Sequence, residues 1–170
     1  EPAAFTKSER ASILEATAFE RWARLVERAF RHHFHIPNGA LRPPALPSTA
    51  HLRMRTIQDT LDRDLRAIFV MRNKLAHGQW AYLLNDRLDD VAQAQMDALR
   101  TENLLILQQK WSLIEALCAA IHDLVISLPT FERDWDRHFR HIEQIRVNIA
   151  RKNYDTWVHQ LQGKYRNGQI

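Results

Sequence analysis

At 170 residues and 20.0 kDa, the chain has the length of one ordinary domain (1–170) and needs no disulfide or metal to bury a core. Its 45% hydrophobic and 26% charged residues exclude wholesale disorder, and a net charge of +4 with pI near 9.6 permits an anionic partner without requiring one. Four scattered glycines and one cysteine, Cys118, exclude a dinucleotide fingerprint, a P-loop, an internal disulfide and a cysteine-rich zinc site. With no apolar run near 18 residues and no leader pattern, the expectation is a cytoplasmic protein without a membrane span.

Thr6 and Glu9 have the spacing of a capping box. A first helix is predicted from there to about Phe34, with Ala16, Phe19, Ala23, Val26 and Phe30 on one face. Residues 36–49 hold Pro37, Gly39, Pro43, Pro44 and Pro47 and read as a loop. A second helix is predicted from about His51 to His77, stopped by Gly78. Residues 79–100 are irregular: a short extended piece at Trp80–Leu84, a turn at Asn85-Asp86, then a weak helix. The third helix, Thr101 to about Ser127, repeats Leu104, Leu107, Trp111, Ile114, Cys118, Ile121, Val125 and Leu128 in steps of three and four, flanked by Leu113, Leu117 and Leu124, so it is expected to be central and buried on a wide face. Cys118 therefore reads as packing. Pro129 is read as ending this helix and Thr130 as capping the next. That fourth helix carries Phe131, Trp135, Phe139, Ile142, Ile145 and Ile149, then continues or breaks near Asn153. The expected fold is all-α, an up-and-down bundle of four to five long helices.

One position breaks the pattern. Met54, Ile57, Leu61, Leu65, Ile68 and Leu75 form a stripe on the second helix, and Arg72 falls in its middle. A guanidinium there is costly to bury unpaired, so a carboxylate, a ligand phosphate or a partner must meet it. Asp59, Asp62, Arg66, Asn73 and His77 fall on a neighbouring face.

Arg72-Asn73-Lys74-Leu75-Ala76-His77-Gly78 resembles the signature of the HEPN superfamily (higher eukaryotes and prokaryotes nucleotide-binding). Arginine, a polar follower and histidine stand there near the end of a long helix. Two other Arg-x4-His spacings, Arg28/His33 and Arg133/His138, lack that combination. The resemblance implies a HEPN-like helical domain and a metal-independent endoribonuclease of bacterial toxin or anti-phage type, acting as a homodimer without a cofactor or metal. It also implies an antitoxin or defence partner. The antitoxin-modified members carry a tyrosine two residues after the histidine, where this chain has Gln79, so that mode of control is not expected.

The residue types suit such chemistry in their own right. Metal-free RNA cleavage uses the 2′-OH as nucleophile and needs a proton acceptor and donor near neutrality, for which His77 is the candidate. Arg72 is the candidate for stabilising the charged phosphorane, and Asn73 for orienting phosphate or His77. Lys74, Arg66 and Trp80 are candidate substrate contacts. Arg72 and His77 lie about 140° apart round a helix, so two copies packed near Phe69–Trp80 would pool both pairs. The alternatives are a non-catalytic module that binds nucleotide or RNA or dimerises a defence protein, and a scaffold with Arg72 in an internal salt bridge. His32, His33 and His35 read as a basic helix end. The His138/His141 spacing with Asp134 is a weaker metal candidate. Arg146, Arg151, Lys152, Lys164 and Arg166 form a candidate phosphate-tracking strip.

Overall fold

The computed structural model describes residues 6–79 and 81–166, and these are overwhelmingly helical. In chain order the helices are α1 (Lys7–Glu15), α2 (Ala18–His33), α3 (Ser48–Thr60), a π-helical turn (Leu61–Leu65), α4 (Arg66–Ala76), α5 (Gln93–Thr101), α6 (Leu104–Ile126), α7 (Leu128–Arg151) and α8 (Tyr154–Arg166). The only pairing between extended residues among those described is an isolated bridge, Leu84 to Val91.

The Thr6–Glu9 capping box forms as expected. The expected first helix, however, is two helices. Thr17 and Glu20 make a second capping box that starts α2 afresh, and Ala16 is extended between them. The second predicted helix runs from Ser48 to Ala76, with π geometry at Leu61–Leu65. At the next junction Ser127 caps α7 and Pro129 sits in its first turn. Pro129 therefore opens the new helix, where its missing N–H costs nothing, and Ser127 rather than Thr130 is its cap; Thr101, the expected start of the third helix, ends α5, and Asn103 caps α6. The chain does break after α7, with Lys152 as the C-cap.

α6 and α7 form an antiparallel hairpin about Ser127, and α2 and the α3–π segment close over it. The core joins Val26 and Phe30, Met54 and Ile57, Leu61 and Leu65, Leu113, Leu117 and Leu124, and Phe131, Ile142 and Ile145. Burying each of these large side chains contributes about 1.5–3 kcal/mol. Phe30 anchors the centre, edge-on to Phe131 at 6.0 Å and stacked on Phe34 at 6.1 Å.

The buried face of α6 is Leu113, Ala116, Leu117, Ala120, Ile121 and Leu124. Its two alanines admit close approach by neighbouring helices. The stripe expected from sequence lies to one side: Leu104, Leu107 and Trp111 are 53%, 52% and 62% exposed, and Cys118 is exposed. The flanking Leu113, Leu117 and Leu124 of the expected wide face are the buried ones; a helix this rich in apolar residues carries too little phase information for the wheel to choose between adjacent stripes. By length and composition α6, with a mean hydropathy of 1.4, is apolar enough to cross a membrane, contrary to the expectation above; a third of that stretch is buried in the bundle.

Candidate functional site

The Arg72–Gly78 segment ends α4. Gly78 adopts φ +82°, its N–H donates to the Leu75 carbonyl, and the Gln79 N–H donates to the Lys74 carbonyl. This is the double closure of a Schellman turn, which needs the left-handed conformation that glycine adopts without strain. The histidine thus sits on the capping residue, as the glycine implied.

Arg72 is not buried. Arg72, Asn73 and His77 are all exposed, and no residue of α4 is fully buried. The π turn explains part of this. Its i→i+5 bonding adds about one residue to the turn, so everything downstream rotates by about 100° against a regular wheel. In addition, α4 runs on past the end of the core. Arg72 Nη1 donates to Asn73 Oδ1 at 3.1 Å and has no carboxylate partner among the described residues. His77 makes no side-chain hydrogen bond among them either. The internal salt bridge of the scaffold reading is absent there.

A partly buried guanidinium with carboxylate partners is found instead at Arg146, which the sequence placed on a surface strip. From α7 it reaches the π turn, with Nη2 and Nε 2.6 Å and 3.0 Å from Asp64 Oδ2. Nη2 also donates to Thr60 Oγ1 at 2.9 Å, and Nη1 to Glu143. Thr60 passes its own proton to the Thr56 carbonyl at 2.8 Å. Arg-to-Asp spacing across 82 residues leaves no local trace, so sequence reading missed it.

Two of the expected substrate contacts are engaged elsewhere. Arg66 pairs with Asp62 at 2.5 Å and lies 4.1 Å over the Phe19 ring, which itself meets Phe69 edge-on. Lys74 is turned into the protein, donating to the Leu84 carbonyl. Trp80 lies outside the described residues.

Three of the remaining candidates, His33, His138 and Asp134, form structural pairs. His33 is half-buried and its Nε2 donates to the Leu124 carbonyl, tying α2 to α6; burial pushes its pKa below the usual imidazole value. His138 is buried with Nε2 2.8 Å from Asp123 Oδ2. Arg133 and Arg137 hold Asp134, and the Arg133 hydrogen bond is the main reason its carboxyl is lowered. Among the described residues no group of three or more His, Cys, Asp or Glu side chains is arranged to hold a metal ion. An apolar groove of about 460 Å³ lies between α1, α2 and α6, lined by Ile13, Trp22, Leu25, Cys118, Ile121 and Val125. Partial desolvation in the groove, with the Glu115 charge nearby, raises the Cys118 thiol although the residue is exposed, which disfavours the nucleophilic thiolate.

Comparisons with protein-family models, with curated proteins and with solved structures found no match.

Proposed function

We propose that this protein is a metal-independent endoribonuclease of toxin or anti-phage defence type, acting as a homodimer through Arg72, Asn73 and His77. The observation that carries the reading is the exposed pair at the end of α4. A permanently charged guanidinium and an imidazole stand on one glycine-stopped helix end, and no carboxylate among the described residues neutralises either.

In the proposed reaction the ribose 2′-oxygen attacks phosphorus and the bond to the 5′-oxygen breaks, leaving a 2′,3′-cyclic phosphate and a 5′-hydroxyl. His77 takes the 2′-OH proton or delivers one to the departing 5′-oxygen. Arg72 neutralises the phosphorane, and its bond to Asn73 Oδ1 fixes the direction of the guanidinium. Because the two side chains diverge round the helix, a second copy would supply the complementary group. The half-buried Ile68, Phe69, Met71 and Leu75 and the exposed Val70 offer apolar surface for such a mate.

The second reading is a module that binds RNA or nucleotide without cutting it, drawing on the exposed cationic Arg72 at the end of α4. Cleavage of total RNA in EDTA separates the two. The enzyme reading expects cleavage by the parent chain and a loss of at least about a hundredfold in His77→Ala, with folding intact. A parent chain that binds RNA but leaves it whole supports the module.

A further inference from the structure

We infer that Lys74 is a positioning residue: it clasps the 81–92 loop, with its acidic tip, onto the end of α4, and does not contact phosphate. The loop's effect on RNA rests on the function proposed above; the clasp itself does not.

Lys74 lies about 200° round the helix from Arg72, and its side chain is only 11% exposed. A nearly buried ammonium must find partners. It finds the Leu84 carbonyl and the Asp86 carboxylate, 4.0 Å away. From the other side Gln79 Oε1 accepts the Leu84 N–H at 2.8 Å. Both backbone groups of Leu84 are thus held by side chains at the end of α4.

The loop itself is a folded unit. Ala92 N–H donates to the Leu83 carbonyl at 2.7 Å and Asn85 N–H to the Asp90 carbonyl at 2.8 Å. Asn85 Oδ1 gathers the N–H groups of Arg87 and Asp89 across the tip. Leu83 is fully buried, with its N–H 3.1 Å from Met96 Sδ. The loop therefore has one anchor on α5 through Leu83 and one on α4 through Leu84. Lys74 supplies the charged half of the second anchor. With that charge spent inside the protein, Asp86, Asp89 and Asp90 are exposed on a loop pinned to the end of the helix that carries Arg72 and His77, and Arg87 at the tip offsets only part of their charge. A polyanion approaching that end meets negative charge that raises the threshold for non-specific binding.

Hydrogen exchange on the whole chain tests the clasp. Lys74→Gln is expected to raise exchange at Leu84, Asn85 and Ala92 about tenfold or more while the α6 and α7 core amides keep their protection. Arg72→Gln is expected to leave both sets unchanged. Asp86→Asn, a change at a fully exposed side chain, is expected to shift the same loop amides in the same direction but less. Loop protection that survives both Lys74→Gln and Asp86→Asn overturns the clasp. Titration with a short oligouridylate at several salt concentrations tests the rest. A phosphate contact predicts that Lys74→Gln lowers the log–log salt slope by about 1, and that result overturns the inference. The clasp predicts an unchanged slope, with tighter binding in Asp86→Asn. If the parent chain binds no oligouridylate, the RNA reading falls and the exchange result still decides the clasp.

Discussion

Arg146 and Arg72 carry the same guanidinium into opposite surroundings, and the energetic consequences differ accordingly. Arg146 is mostly enclosed with Asp64, so removing it strands a carboxylate and the Thr60 hydroxyl. Arg146→Met is expected to cost about 3 kcal/mol in urea unfolding, and adding Asp64→Leu is expected to recover most of it. Arg72→Ala, at an exposed side chain bonded only to its neighbour, is expected to change stability by less than about 0.5 kcal/mol. His33 makes stability depend on pH. Its native pKa lies below the reference value of 6.5, chiefly through burial, so between the two values the unfolded chain binds more protons. The neutral ring's contribution is complete above 6.5 and declines as pH falls toward the lowered native value. His33→Gln is expected to flatten the pH dependence of the urea midpoint across that window; an unaltered profile would contradict the assignment.

At the scale of elements, two helix ends were legible, while other ends and the helix phases were not. The Thr6–Glu9 box and the Gly78 stop each rest on backbone groups within a few residues, so local sequence specifies them. Thr17–Glu20 had the same spacing, but the apolar repeat from Ala16 to Phe30 ran across it and hid the break. The π turn left no recognisable signature, yet it rotated the whole of α4. Gly78 offers a direct test at this scale. Its φ of +82° disfavours any L side chain, although a Cβ there meets nothing within 4 Å. Gly78→Ala is therefore expected to cost about 1 kcal/mol by backbone strain alone, with hydrogen exchange increased in the last turn of α4. A neutral result would mean that the turn refolds around alanine.

For the whole molecule, apolar side chains stand exposed on several elements, among them α4 and the first turns of α6. Leu104, Leu107, Trp111 and Val70 are exposed, and neither α4 nor α8 has a buried residue. The proposed dimer uses α4. Sedimentation velocity is expected to show a concentration-dependent dimer, which Val70→Glu, at a side chain outside the core, dissociates without lowering the melting temperature. A monomer at all concentrations would remove the composite site.

By itself the sequence determined the all-α class, the long helices and the glycine-stopped segment carrying Arg72, Asn73 and His77. These depend on periodicity and on caps that span three or four residues. Only the tertiary structure decided which arginine is drawn against the core with a carboxylate, which way Lys74 and Arg66 turn, and which of the apolar stripes of α6 is innermost. Those outcomes depend on an added residue in one helical turn and on partners, such as Asp64 for Arg146, brought together from distant parts of the chain.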